Sequence, residues 1–76
     1  MFTVRLISLQ DELYTGLAQE VTLPTIDGQL TILDFHQPIV SRLSAGVICI
    51  DKRKIFKIKD GIIKMSGVEL MGIVQT

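Results

Sequence analysis

The sequence predicts an all-β domain, a sandwich or barrel of short strands. Three observations point there. Apolar and polar residues alternate with the strand period of two, starting with Phe2, Val4 and Leu6 against Thr3 and Arg5. Turn-forming clusters recur at the short intervals typical of strands joined by tight connections. No segment carries the apolar spacing of an amphipathic helix.

Each element follows from its residues. Gln10-Asp11-Glu12 turns the first strand back. After it, Leu13, Leu17, Val21 and Leu23 point one way, and Tyr14, Gly16, Ala18, Glu20 and Thr22 the other, with Thr15 and Gln19 interrupting the pattern. Pro24-Thr25-Ile26-Asp27-Gly28 is a turn by composition. The stretch that follows organises the chain: a strand over Gln29 to Leu33, with Leu30 and Ile32 on one face, then the connection Asp34-Phe35-His36-Gln37. Pro38 lacks an amide donor and sets φ near −65°, so the chain restarts there at a turn or strand start.

Ile39 to Leu43 is a short apolar segment closed by Ser44-Ala45-Gly46. Val47 to Ile50 reads as a strand buried on both faces, and Asp51-Lys52-Arg53-Lys54 as a charged hairpin tip. Asp60-Gly61 between alternating segments predicts a type I′ turn, because both central residues there need φ > 0. That turn would pair Lys59 with Ile62, Ile58 with Ile63, Lys57 with Lys64 and Phe56 with Met65. It would bury Phe56, Ile58, Ile63 and Met65 and expose Lys57, Lys59, Ile62 and Lys64. Ser66-Gly67 turns the chain into the last strand, Val68 to Val74.

At 76 residues, residues 1–76 make a single domain. A domain this short buries only roughly 60% of its unfolded surface. Hydrophobic residues form 47% of the chain, which excludes disorder, and with no Trp the core is built mainly from Ile, Leu, Val and Met. Cys49 is the single cysteine and His36 the single histidine. They exclude an internal disulfide and a four-ligand Cys/His zinc site, and suit a reducing compartment. No apolar run approaches the roughly 20 residues of a membrane-spanning helix, and Met1-Phe2-Thr3-Val4-Arg5 does not open a signal peptide. Charge is segregated. Residues 1–40 carry one cationic and five acidic side chains, and residues 41–76 seven cationic and three acidic. Such asymmetry suits a wedge between two partners.

The residues support no catalytic or cofactor site. Asp34, His36 and Ser41 or Ser44 supply the residue types of a triad, but no nucleophile elbow holds them and so small a fold leaves no deep pocket. Gly61 and Gly67 read as turn glycines, and neither opens a helix that would cradle a phosphate. A nucleic-acid-binding barrel using the basic 52–64 hairpin is the alternative function. It is disfavoured by neutral net charge and by an aromatic, Phe56, on the core face of that hairpin.

The run from Gly28-Gln29-Leu30-Thr31-Ile32-Leu33 through Asp34-Phe35-His36-Gln37-Pro38 to Ile39-Val40-Ser41-Arg42-Leu43, followed by Ala45-Gly46-Val47-Ile48-Cys49-Ile50, resembles the epsilon subunit of rotary F-type ATP synthases. That family typically reads Gly-Glu-hydrophobic-Gly-Ile-Leu-Pro-Gly-His-Ala-Pro-Leu-Leu-Thr across the first part. Tyr14-Thr15-Gly16 resembles its Phe-X-Gly, Val21-Thr22-Leu23-Pro24 its Val-X-Leu-Pro, and Asp60-Gly61-Ile62-Ile63 its Gly-Gly-Ile segment. The chain departs from the family at Gln29, where an acid is usual, at Asp34-Phe35, where Pro-Gly is usual, at Gln37 in place of Ala, and at Ala45 in place of Pro.

The resemblance implies a non-catalytic central-stalk subunit. Its N-terminal domain, all-β and a small flattened β-sandwich of about eight to ten short strands, would bridge the gamma subunit and the proton-carrying ring and couple rotation to ATP synthesis. It implies a peripheral place on the cytoplasmic face of a bacterial inner membrane, as part of a membrane complex. It implies no cofactor, no metal, no nucleic acid, no membrane insertion and no homo-oligomer. By position, Gln29, Asp34, Phe35, His36 and Gln37 would meet the ring and Ser41 the gamma subunit. The family's two C-terminal helices have no counterpart here, so the chain reads as a short form or an N-terminal domain alone.

Overall fold

The alternating segments form nine strands: β1 (Phe2–Ile7), β2 (Glu12–Ala18), β3 (Glu20–Thr25), β4 (Gly28–Leu33), β5 (Ile39–Leu43), β6 (Gly46–Ile50), β7 (Lys54–Ile58), β8 (Asp60–Ser66) and β9 (Glu69–Gln75). The structure, a computed structural model, describes residues 1–34 and 38–76, and these contain no helix. The strands make one curled sheet in the order β2-β1-β9-β8-β5-β3-β6-β7, with β4 added to β3. The curl separates two layers, β2-β1-β9-β8-β5 and β4-β3-β6-β7. Among the described residues their only ladder link is Thr25 opposite Leu43. β1 and β9 run parallel, and the other pairs are antiparallel.

Burial on one face explains the period of two. Phe2, Val4 and Leu6 of β1 are buried, as are Val21 and Leu23 of β3, Ile48 and Ile50 of β6, and Ile63 and Met65 of β8. They form one core between the layers. The expected two-sided burial of Val47 to Ile50 is corrected: Val47 is 45% exposed and Cys49 half-buried, because the outer face of β6 meets solvent. The expected single parity from Leu13 to Leu23 is corrected too. Leu17 is 59% exposed while Ala18 is buried. The bend at Gln19 between β2 and β3 shifts the register by one residue, which exchanges the faces. The turn expected over Pro24 to Gly28 is shorter, since β3 runs to Thr25 and only Ile26 and Asp27 separate it from β4.

The expected hairpin at Asp60-Gly61 does not form. β7 pairs with β6, and β8 pairs with β5 and β9. Asp60 begins β8 opposite Gln75, and Lys59 is the single residue between β7 and β8, its N–H donating to the Gln75 carbonyl at 2.7 Å. The type I′ geometry lies instead at Asp51-Lys52, with φ of 52° and 58°, closed by the Arg53 N–H donating to the Ile50 carbonyl at 3.0 Å. Tertiary contacts hold this turn where local propensity would not. The Asp51 carboxylate accepts the N–H groups of Gln19 (2.8 Å) and Glu20 (3.0 Å), and the Asp51 N–H donates to the Glu20 carbonyl (2.9 Å). The facing of side chains survives the change of partners. Ile58, Ile63 and Met65 are buried, Phe56 is half-buried, and Lys57, Lys59, Ile62 and Lys64 are exposed.

The Glu20 and Gln19 amides hold the Asp51 carboxyl below the usual carboxylate range. A depressed folded value stabilises the fold above that range and is lost as pH falls through it. Asp51→Asn keeps a residue tolerant of positive φ but removes the charge. Its denaturant midpoint at neutral pH is expected to show a loss of about 1 kcal/mol. The gap to the parent should close in strongly acid buffer, and a gap independent of pH would contradict the assignment.

Candidate functional site

β4 is an edge strand, hydrogen-bonded to β3 alone. Gln29, Thr31 and Leu33 face outward from it, while Leu30 and Ile32 pack inward. Gln29 lies opposite Pro24 and beside a shallow groove of about 370 Å³ that Ser44 and Val47 also line. A proline is tolerated within β3 because its carbonyl accepts the Ser44 N–H at 2.8 Å, where β5 gives way to β6 and no strand requires an amide. The ring packs over Gly46, where an added Cβ would stand 2.9 Å from the Pro24 Cβ.

The structure separates residues that sequence grouped on one connection. Gln29 stands at the start of β4 and Asp34 just beyond its end, about 17 Å apart at strand spacing. Asp34 is half-buried, and its carboxylate pairs with the N-terminal ammonium of Met1. A second groove of about 240 Å³ lies there, between Met1, Met65 and Val68. Phe35, His36 and Gln37 lie outside the described residues. Ser41 shares the inward face of β5 with Ile39 and Leu43, opposite Ile63. Its outward neighbours are Val40 and Arg42, both exposed.

The outer face of β1, β9, β8 and β5 carries an apolar row that sequence reasoning left without a role. The ladders align Ile7 with Ile73, Ile73 with Ile62, and Ile62 with Arg42. Ile62 and Ile73 are each about half exposed, and Leu9 projects beside them at 94%. They border a shallow groove of about 500 Å³. Arg42 closes one end of the row, its guanidinium 3.4 Å from the Asp60 carboxylate. The Gly61 N–H and then Arg42 hold the Asp60 carboxyl below its usual range. The signal was present in the sequence: Ile62 fell among lysines on the outward face of its strand. The arrangement offers an apolar strip closed at one end by an ion pair, a surface suited to docking.

Comparison with known proteins agrees with this fold. Residues 1–74 match the family described as ATP synthase, Delta/Epsilon chain, beta-sandwich domain. The ATP synthase epsilon chain 2 of Nitrobacter hamburgensis is 38% identical over 72 residues, covering 91% of this chain and 53% of that protein. The ATP synthase epsilon chain of Synechococcus elongatus is 46% identical over 46 residues, covering 60% of this chain and 34% of that protein. The chain thus spans about half or less of the length of these relatives. Two solved chains share the fold. One is from the central stalk/c-ring cryo-EM structure of the Tetrahymena thermophila mitochondrial ATP synthase, at TM-score 0.81 and 16% identity, covering 97% of this chain and 63% of that one. The other is from the Euglena gracilis mitochondrial enzyme, at TM-score 0.86 and 15% identity, covering 96% of this chain and 49% of that one. The chain belongs to the ATP synthase Delta/Epsilon chain, beta-sandwich domain family.

Proposed function

We propose that this chain is a non-catalytic central-stalk component of an F-type ATP synthase, joining the gamma subunit to the proton-carrying ring at the cytoplasmic face of a bacterial inner membrane. The match to the family over residues 1–74 carries this reading. The ring contact is assigned to the β4 edge from Gln29 to Asp34 and to Phe35, His36 and Gln37 beyond it. Gln29 stands where the family resemblance leads one to expect an acid, and it offers hydrogen bonds without charge. The gamma contact is assigned to the segment around Ser41. Because Ser41 faces inward, its exposed neighbours Val40 and Arg42 would carry that contact together with the apolar row through Ile62 and Ile73. Burying such a row supplies affinity, and the Arg42–Asp60 ion pair at its end supplies orientation.

The test is coexpression with the gamma subunit. Ile62→Glu places a charge in the centre of the row and is expected to reduce retention of gamma by about tenfold or more, since a buried unpaired charge is costly. Thermal melts of the isolated variant should stay close to the parent, because Ile62 is half exposed in the domain itself. Gln29→Ala should leave gamma bound and lower ATP-driven proton pumping by about two- to tenfold, the worth of one neutral hydrogen bond. If both variants hold gamma and pump at the parental rate, the reading fails.

A further inference from the structure

The strand at the opposite margin of the second layer has a character of its own. Among the described residues β7 is the last strand of its layer, paired with β6 alone, so half of its backbone N–H and C=O groups meet no other described strand. Residues 52–59 carry Lys52, Arg53, Lys54, Lys57 and Lys59 and no acid. The two acids that bracket this run are engaged elsewhere. Asp51 accepts the Gln19 and Glu20 amides, and Asp60 holds Arg42 and the Gly61 N–H. Among the described residues, only Lys52 of the five cations has an ion-pair partner, Glu20 at 3.8 Å. Lysines also guard edges against aggregation, but here the guard is incomplete. Ile55, in the middle of the strand, is 66% exposed on the same outward face as Lys57.

We infer that the β7 edge is a docking site for an extended acidic peptide segment of a partner protein, which adds to the sheet as a further strand. Backbone pairing to β7 would give affinity. Along the outward face, acidic side chains at two alternate positions would meet Lys57 and, just beyond the strand, Lys59, and an apolar side chain at the next position on that face would cover Ile55. The inner side of β7 is already closed. Phe56 packs edge-on against Tyr14 of β2, with ring centroids 6.1 Å apart, and the Lys54 Nζ lies 5.7 Å from the Tyr14 ring centre. This closure also separates a peptide from a nucleic acid. Single strands need exposed aromatic faces for stacking, and the two rings near this edge are packed on each other. A strand edge matches a peptide backbone and has no counterpart in a nucleic acid.

The experiment titrates the full chain with the capped heptapeptide Val-Thr-Glu-Thr-Glu-Thr-Val, whose alternate positions read Val, Glu, Glu, Val in either strand direction, followed by amide NMR shifts. The controls are the Lys-for-Glu peptide, a peptide with Pro at alternate positions, and oligo(dT). Shifts are expected along Lys54 to Ile58 and in β6, with binding lost for the lysine and proline peptides. Lys57→Glu, and separately Lys59→Glu, should weaken binding by about tenfold while the melting curve is kept. The inference is overturned if the proline peptide binds as well as the parent peptide, if both variants bind like the parent, if no shifts occur, or if oligo(dT) binds this edge more tightly than the peptide.

Discussion

Replacing Phe2 by alanine is expected to cost about 3–5 kcal/mol, the range for truncating a large core side chain. Phe2 is 1% exposed and opens β1, which lies between β2 and β9 in the first layer. Loss of its ring leaves a cavity bounded by both layers, and neither can collapse into it without moving a ladder. At about 0.05–0.15 kcal/mol per residue, a domain of this size has a total stability of the same order as the loss. The variant should therefore be largely unfolded at temperatures where the parent is folded, read by far-ultraviolet circular dichroism. Phe56→Ala is the informative partner. The expected hairpin would have made it an equal core position, but Phe56 is half-buried on an edge strand against Tyr14. Its loss is expected at about 1–2 kcal/mol. A larger effect at Phe56 than at Phe2 would contradict the layer assignment.

The fold was legible where the side-chain pattern is local and illegible where it depends on partners far along the chain. Alternation along β1, β3 and β8 follows from one core lying between two layers, and each strand reports its own inward face. That is why Ile58, Ile63 and Met65 were assigned to the core although the hairpin meant to bring them together does not exist. Parity is a property of a strand and its core, whereas pairing is a property of two strands. The parallel pairing of β1 with β9 joins opposite ends of the chain, and no local residue announces it. Of the candidate contacts, Gln29 and Asp34 are near neighbours in sequence but stand at the two ends of a strand. Ser41 could have been placed on the inward face by counting two residues back from Leu43. The outward row of Ile7, Ile73 and Ile62 exists only once β1, β9 and β8 are aligned, so sequence held its members without their adjacency.

Gly61 supplies the second large effect and separates the two explanations of the Asp60-Gly61 pair. If the pair were the centre of a type I′ turn, Gly61 would need positive φ, and asparagine, which tolerates that region, would be its mildest replacement. Neither Asp60 nor Gly61 has positive φ in the structure. Gly61 is instead a residue of β8 that lies against β9. A Cβ added to it would stand 2.8 Å from the Ile73 carbonyl oxygen, 3.0 Å from the Val74 Cγ1 and 3.2 Å from the Val74 Cα. Two of these three are backbone atoms of a paired strand, so relief requires the β8–β9 ladder to part. Gly61→Ala is expected to cost about 1–3 kcal/mol, as overpacking of a well-filled site does. Gly61→Asn adds further atoms to the same collision and should be at least as damaging. The check is urea denaturation of both variants. Asparagine milder than alanine would restore the turn, and the expected order, alanine milder than asparagine, ties this glycine to the close approach of two strands.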